Sequence, residues 1–338
     1  MDDPALTGKT LGHQKHKYGM FLYPFPVARY RFDCQVVSPI RLPEYAGSTL
    51  RGALGHALKK TACMTRQSDC KTCPLYRSCP YPAIFAPPPP ETHSLQKFSE
   101  IPAPFIVEPP AWGERHYGKD DILSFEFILI GRALAQLPLI VYAWQRALAT
   151  GIAKGDGTAK LVRVSLIETH AETTIYSQEE GQIKQHTAEV ISACSEHLQA
   201  DPQHISLQIE TPLRIQHNGH PKHPNELTSR DLLITLLRRI ALISEFHVGQ
   251  KLELDFQALG EAATHITSDK QLTWRDWTRY SNRQKQEMTL GGVMGGWQLK
   301  GNLKPFVPIL ELGQWLHIGK NASFGLGRYR LIDEQSRN

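Results

Sequence analysis

The segment His317-Ile-Gly-Lys-Asn-Ala-Ser-Phe-Gly-Leu-Gly-Arg-Tyr-Arg-Leu331 lies near the end of the chain, between a helix-like run and a strand-like ending. It combines three glycines with cations and aromatic rings. Glycines allow backbone N–H groups to approach a ligand closely, and cations and rings suit phosphates and bases. Glycine-rich turns before a strand are also common as plain structural turns, so the segment alone supports both interpretations.

A succession of a helix, a glycine-rich turn and a strand closes both halves of the chain. The turn spans residues 151–157 in the first half and 319–327 in the second. Periodicity in the first half predicts strands at 27–40, 104–108, 121–130 and 160–169 and helices at 48–60 and 133–150. In the second half it predicts strands at 204–216, 274–280, 289–301 and 324–332 and helices at 228–246 and 305–315.

The duplicated order predicts an α+β fold with two ferredoxin-like domains in tandem. We expect residues 1–170 to form the first domain, with a cysteine-rich insertion at residues 63–79. Residues 171–203 are polar and predict a hairpin and linker. Residues 204–338 would then form the second domain, which contains the glycine-rich loop at residues 317–328.

The composition limits the class of protein. With 338 residues, of which 41% are hydrophobic, the chain suits two domains that each have a core. Its 38 Lys and Arg against 33 Asp and Glu permit nucleic-acid binding without requiring it. Residues 1–20 lack the apolar stretch of a secretory signal, and the longest apolar run, residues 137–144, is too short to cross a bilayer. We therefore expect a cytoplasmic protein that has no membrane partner.

Four cysteines are crowded into seventeen residues, with the spacing Cys63-x6-Cys70-x2-Cys73-x5-Cys79. Such crowding fits a metal site in a reducing compartment better than a disulfide scaffold. Four thiolates complete a tetrahedral zinc shell, so we expect the metal to be structural. The spacing does not distinguish zinc from a four-thiolate iron–sulfur cluster, which remains the alternative.

The predicted helix at residues 48–60 gathers cations around one histidine. Its leucines repeat at four-residue spacing, and Ser48 or Thr49 could cap it. Arg51, His56, Lys59 and Lys60 fall on adjoining stripes. Two glycines on the same flank would permit close approach by another helix or by RNA. A solvated helix histidine is the alternative for His56.

Several blocks, in order along most of the chain, are similar to the CRISPR-associated RAMP endoribonucleases of the Cas-six type, in particular to the branch with an N-terminal cysteine knuckle. In the first half these are Leu50-Arg-Gly-Ala-Leu-Gly55, the four cysteines and Tyr81-x-x-Ile-Phe85. In the second half they are Leu236-Leu-Arg-Arg-Ile240 with Phe246-His247, Trp277-x-Arg-Tyr-Ser281 with Arg283-Gln284, Met288-x-Leu-Gly-Gly292, Gly301-x-Leu-x-Pro-Phe306, and the glycine-rich segment itself.

The resemblance implies two RRM-type domains side by side and a metal-independent cut in CRISPR repeat RNA. A deprotonated 2′-hydroxyl would attack the adjacent phosphate and leave 2′,3′-cyclic phosphate and 5′-hydroxyl ends. This chemistry needs a base, an acid and cations that stabilise the phosphorane. The protein would retain its CRISPR RNA product and could associate with subunits of a CRISPR effector complex.

The resemblance also suggests site residues. A catalytic histidine in the family often lies in or just before the first helix, which matches His56 here. Arg51, Lys59 or Lys60 would stabilise the phosphorane, Tyr45 is a weaker partner, and His317 is a second candidate for catalysis. The expected RNA-binding residues come from the glycine-rich loop and from arginines before it: Gly319, Lys320, Ser323, Phe324, Gly325, Gly327, Arg328, Arg238, Arg239, Arg279 and Arg283.

Two other functions are open at this point. The same fold could serve a non-cleaving RNA-binding subunit of a CRISPR effector complex. A zinc-containing nucleic-acid binder without a CRISPR role is the third interpretation, and the number of matching blocks disfavours it.

Overall fold

A computed structural model of the chain describes residues 25–90, 101–152, 157–187, 190–191, 202–281 and 286–332. Parts of the predicted turn at 151–157 and of the predicted linker at 171–203 lie outside these residues. Side chains are described throughout these ranges except at 190–191, 279–281 and 286–289.

The first half of the chain forms a sheet with two long helices. Its strands and helices are β1 (Phe25–Val36), β2 (Ile40–Leu42), α1 (Gly47–Ala62), α2 (Pro80–Phe85), β3 (Phe105–Glu108), β4 (Arg115–Tyr117), β5 (Ile122–Ile130), α3 (Leu137–Thr150), β6 (Ala159–Ile167), β7 (Glu172–Ser177) and β8 (Val190–Ile191).

The strand order of this sheet is β3-β5-β1-β6-β7, with every neighbouring pair antiparallel. Of its strands, β1, β3, β5 and β6 stand in the spatial arrangement of a ferredoxin-like domain, where the first and third strands pair at the centre. The pairing of β7 with β6 places part of the predicted linker within the first sheet. The small strands β2 and β4 pair separately.

Helix α1 forms because its leucines share one face. Leu50, Leu54 and Leu58 are fully buried in the core beneath the sheet. The helix begins at Gly47, and the cap position, Ala46, makes no side-chain hydrogen bond. The predicted cap at Ser48 or Thr49 is therefore wrong, because both residues lie inside the first turn.

The second half repeats the arrangement. Its strands and helices are β9 (His204–Leu213), β10 (Gln216–His217), β11 (His220–Pro221), α4 (Ser229–Ile243), α5 (Phe256–Thr264), β12 (Thr267–Ser281), β13 (Gln286–Lys300), α6 (Val307–Leu316) and β14 (Tyr329–Ile332). The sheet order is β12-β13-β9-β14, which is the ferredoxin-like order again. The predicted boundaries between the domains stay predictions.

The helices of the second half differ from the prediction in two places. Helix α4 begins with a capping box formed by Thr228 and Asp231 and continues as a π-helical turn, Ser244–Val248. Helix α5 was not predicted; it is short, and Asp255 caps it by accepting a hydrogen bond from the Ala258 N–H. Among the helices that the structure describes, none combines the length and the apolar character that a bilayer crossing requires.

The two sheets share apolar packing. The face of the first sheet opposite α1 and α3 contributes Val27, Ile106 and Ile128 to the same core as the second half's helices and sheet. Successive side chains of a strand point to opposite faces, so the side chains of one strand pack into both cores. The two ferredoxin-like halves are therefore held together by a continuous apolar interior.

A buried carboxylate adds a polar contact to this interface. Glu108, at the end of β3, accepts hydrogen bonds from Arg29 Nε at 2.8 Å and from the ring Nε2 of His317 at 2.9 Å. Arg328 Nη1 lies 3.5 Å from the same carboxylate. Burial raises the pKa of Glu108, but the His317 hydrogen bond and the neighbouring cations outweigh burial and hold that pKa well below its usual range. Glu108 thus binds the C-terminal segment as an anion.

We expect Glu108→Gln to lower the free energy of unfolding at neutral pH by about 1–3 kcal/mol, because the partly buried Arg29 and Arg328 lose a carboxylate partner. The depressed pKa means that the stabilisation is complete above the unfolded pKa, at about 4.3, and declines as the pH falls below it. Denaturant unfolding at pH 7 and at lower pH values measures both effects.

The matched control is Glu179→Gln, which removes an exposed carboxylate and should leave stability nearly unchanged. Equal stability of the two variants at pH 7, or a difference that grows on acidification, would contradict the role assigned to Glu108.

Candidate functional site

An open cleft of about 3080 Å³ runs between the two halves of the molecule. One wall is α1 together with the cysteine segment that follows it, and the other is α4 with the loop at residues 319–324. The cleft therefore exists only because the two ferredoxin-like halves are held side by side.

The lining of the cleft is strongly basic. Glu114 is the only carboxylate residue among the described residues that line it. By comparison, twelve of the described residues that line the cleft are cationic, namely Arg41, Arg51, Lys59, Lys60, Arg66, Lys71, Arg77, Arg146, Arg214, Arg238, Arg239 and Lys320. The chain as a whole is only slightly basic, so cations are concentrated here. A cleft lined by one sign of charge attracts a polyanion of the opposite sign.

Helix α1 presents His56 to this cleft. The leucine face of the helix is buried, so the opposite face, with His56 and Lys60, is exposed. Residues four apart in a helix lie on the same side, one turn from each other. His56 and Lys60 therefore lie next to each other on the cleft side of α1, as the sequence predicts for a histidine that acts beside a cation.

The other two predicted cations of α1 are engaged by the protein. The Arg51 guanidinium lies 4.0 Å from the Phe85 ring centre and 5.0 Å from that of Phe324, and its Nη2 donates to the Phe85 carbonyl at 3.3 Å. The Lys59 ammonium donates to the Ser68 carbonyl at 3.0 Å. Both residues line the cleft, but these contacts make them better suited to holding its wall than to stabilising a phosphorane.

Tyr45 and His317 are placed unfavourably for catalysis. The Tyr45 hydroxyl is buried and donates to the Phe324 carbonyl at 2.9 Å, and burial raises its pKa well above the usual value. The His317 ring has no exposed surface and contacts Glu108 and the Leu326 carbonyl. Burial lowers the pKa of His317, which the hydrogen bond and charge of Glu108 only partly oppose. Their catalytic roles stay predictions, but we assign both side chains to the contact between the two halves, because the Tyr45 hydroxyl and the His317 ring nitrogens are engaged by other protein groups.

The glycine-rich loop contacts both the cleft and the protein interior. Gly319, Lys320, Ser323 and the largely buried Phe324 line the cleft, whereas Gly325 and Gly327 are buried away from it. Both buried glycines have positive φ, and an added Cβ would lie 2.5 Å from the Val107 carbonyl oxygen at Gly325 and within van der Waals overlap of the Ile318 carbonyl at Gly327. Only a residue without Cβ fits such approaches. Two of the loop residues predicted to bind RNA, Gly325 and Gly327, thus pack against protein backbone.

The predicted arginines divide in the same way. Arg238 is exposed at the cleft. Arg239 donates from Nε to the Leu316 carbonyl at 2.7 Å, and burial lowers its pKa to about 10. Arg328 is ion-paired with Glu210 at 3.0 Å. Arg283 and the side chain of Arg279 lie outside the described residues.

The four cysteines surround a cavity of about 150 Å³ beside the cleft. All four are free thiols, and the Cys73 N–H donates to the Cys70 carbonyl at 3.1 Å within a tight turn. Burial raises the pKa of the Cys70 thiol, and the three other cysteines raise it further. The nearby Lys59 lowers this pKa, but its effect is smaller than that of burial. Four sulfur donors fit zinc chemistry in kind. No three His, Cys, Asp or Glu side chains of the described residues are arranged to hold an ion, so zinc binding stays a prediction.

Several residues of the cleft were not predicted from the sequence. His116 and Arg41 pair across the β2–β4 ribbon and both line it. Arg146 of α3 and Arg214 after β9 also line it. Their positions in sequence carry no signal, because β4 follows a proline-rich stretch and each residue reaches the cleft through tertiary packing alone.

Comparison with known proteins finds two family models that each match part of the chain. Residues 207–329 match the family model of the CRISPR-associated endoribonuclease Cas6, and residues 25–188 match a second model described as an N-terminal domain. The C-terminal part of the chain is therefore similar to a Cas6 domain. The predicted resemblance is confirmed, and the matched Cas6 region contains α4, the strands β12 and β13 and the glycine-rich loop.

Solved structures share the fold. A product complex of a Cas6 from Thermus thermophilus has a TM-score of 0.54 at 15% identity, with 91% of this chain and 99% of that chain covered. A Cas6-RT-Cas1–Cas2 complex and a partial form of it have the same TM-score, identity and coverage of this chain. This chain spans only 29% and 46% of those two longer chains. No curated protein sequence matches the chain. At this identity the structures establish the Cas6 fold alone.

The close approach of Gly325 to the Val107 carbonyl leads to a prediction about stability. Gly325→Ala should destabilise the protein more than Gly219→Ala, although the two glycines have nearly equal φ values of 87° and 83°. Each substitution costs about 1–2 kcal/mol for the left-handed backbone. At Gly325 the contact with the Val107 carbonyl adds about 1–3 kcal/mol, whereas a Cβ at Gly219 meets open space.

Thermal and denaturant unfolding of the two variants measure the difference. If Gly325→Ala lost no more stability than Gly219→Ala, the loop would not be packed against β3 as described.

Proposed function

We propose that this Cas6-type chain is an endoribonuclease that processes CRISPR precursor RNA by a metal-independent cut within the repeat. The observation that carries the proposal is the exposed His56 on a cleft that, within the described part of the chain, is lined by twelve cationic residues and one carboxylate. RNA is the polyanion that the Cas6 family model implies, and the cleft provides the charge that its backbone requires.

The proposed reaction is a transesterification. The 2′-oxygen forms a bond to the adjacent phosphorus, and the bond between that phosphorus and the 5′-oxygen breaks. The 2′-proton passes to a base and the leaving 5′-oxygen gains a proton, which yields 2′,3′-cyclic phosphate and 5′-hydroxyl ends. No redox step or metal is needed in this sequence.

We assign the acid or base role to His56, since histidine exchanges protons near neutral pH. Lys60, one helical turn away, would stabilise the negative charge of the phosphorane. Lys320 and Arg238 would hold phosphates from the opposite wall. Arg51 would act as a positioning residue that keeps α1 against the loop.

Similar structures suggest the fate of the product. One Cas6 was solved as a product complex, and another stands in a complex with Cas1 and Cas2. We propose that this chain likewise retains its CRISPR RNA and associates with CRISPR subunits. A non-cleaving RNA-binding role is the alternative that a cleavage assay distinguishes.

We also propose one structural zinc ion at Cys63, Cys70, Cys73 and Cys79. The four free thiols around one cavity support this proposal. The ion would cross-link residues 70–79 to Cys63 at the end of α1. With four protein ligands it would leave no open position for catalysis.

His56→Ala should lower the single-turnover cleavage rate of repeat RNA by about 10²–10⁴-fold, because proton transfer is lost. RNA affinity should change little, since the cations remain. The assay contains a chelator, and the product is tested for a cyclic-phosphate end.

His265→Ala is the matched control, as it removes an exposed histidine outside the cleft lining. Loss of cleavage in His116→Ala with normal cleavage in His56→Ala would transfer the role to the cleft's other histidine. Wild-type protein that binds cognate repeats without cutting them would favour the non-cleaving alternative.

Metal analysis of the purified protein should find about one zinc per chain, released when the cysteines are replaced by serine. A brown protein absorbing near ~400 nm would indicate the iron–sulfur alternative instead. Protein that contains neither metal after expression in zinc-supplied medium would overturn the metal proposal.

A further inference from the structure

The cysteine segment carries a basic surface that the proposed reaction does not use. Arg66, Lys71 and Arg77 are exposed and line the same cleft as His56; we refer to these three residues as the knuckle face. The one acidic residue of the segment, Asp69, does not line the cleft and accepts a hydrogen bond from the Lys71 backbone N–H at 2.9 Å. The knuckle face is therefore a net positive part of the cleft wall.

The knuckle face is held in a fixed position relative to α1. The Cys63 N–H donates to the Lys59 carbonyl at 2.9 Å, and the Lys59 ammonium donates to the Ser68 carbonyl at 3.0 Å. Arg77 Nη1 donates to the Pro89 carbonyl at 3.4 Å, which ties the far end of the segment to the chain after α2. These contacts connect the segment to the helix that presents His56.

The knuckle face belongs to the segment that follows α1, whereas His56 lies within the helix. The helix continues for six residues beyond His56 and ends at Ala62, a rise of about 9 Å along its axis. We therefore expect the three cations to meet a different part of a bound strand from the one at His56. They would add affinity without taking part in the chemical step.

We propose that the knuckle face binds the phosphate backbone of the RNA beyond the site of cleavage, so that the cysteine segment is part of the RNA-binding surface and not only a structural insertion. This inference rests on the proposed function, which supplies the RNA. Each cation that neutralises a phosphate releases a counterion, and binding through it weakens with salt.

The test compares two triple variants of the full chain in their binding to labelled repeat RNA. Arg66→Ala with Lys71→Ala and Arg77→Ala removes the knuckle face. Lys119→Ala with Lys160→Ala and Lys251→Ala removes the same charge from exposed residues outside the cleft lining. Fluorescence polarisation at several salt concentrations gives Kd and its salt slope.

The knuckle variant should bind at least about 10-fold more weakly at low salt, with a salt slope reduced by about 2, since each lost contact to single-stranded RNA removes about 0.7. The control variant should keep nearly the wild-type slope. At saturating protein the single-turnover rate should be unchanged in both. Shortening the RNA from one end should remove the difference between wild type and the knuckle variant.

Equal slopes for the knuckle and control variants would overturn the inference, as would a loss of rate at saturation with unchanged affinity. Wild-type protein that neither binds nor cuts repeat RNA would instead refute the proposed function. Zinc content and thermal unfolding report whether the triple variant folds. If it does not, Lys71→Ala alone carries the test, with an expected slope change of about 0.7 against Lys119→Ala.

Discussion

The contact between the buried carboxylate of Glu108 and the C-terminal segment is the constraint on which the rest of the molecule depends. A buried carboxylate is stable only when cations and hydrogen-bond donors compensate the loss of water. Here they come from both halves, from Arg29 on β1 and from His317 and Arg328 around the glycine-rich loop. The glycines complete the contact, because their backbone reaches the Val107 carbonyl without a side chain in between. Two similar domains are thereby fixed in one relative position.

The cleft is a consequence of that position. Both halves form its walls, since α1 and the cysteine segment belong to one half and α4 and residues 319–324 to the other. The exposure of each histidine decides its role. The leucine face of α1 is buried in the core, so His56 and Lys60 face the cleft. His317 is buried and hydrogen-bonded to Glu108. The same residue type thus has a candidate chemical role in one domain and a structural role in the other.

Much of the fold was predictable, and so was part of the candidate site. The four-residue spacing of leucines predicted α1, and the repeated order of helices and strands predicted both sheets, because periodic burial is a local property of the chain. The prediction that the glycine-rich loop binds RNA stays a prediction, but Gly325 and Gly327 are buried against other parts of the protein. A glycine indicates that something comes close to the backbone. Whether that neighbour is a phosphate or a carbonyl from a distant strand is not encoded in its spacing.

The sequence by itself determined the two ferredoxin-like halves, the cysteine cluster and the histidine on the first helix, since each depends on residues that are near one another in the chain. Only the tertiary structure decided which cations share a surface. Arg41, His116 and Arg146 reach the cleft from three separate elements, and Arg51 is held between aromatic rings that are far apart in sequence. Burial and charge pairing across long sequence separations depend on how the domains pack, and local patterns do not contain that information.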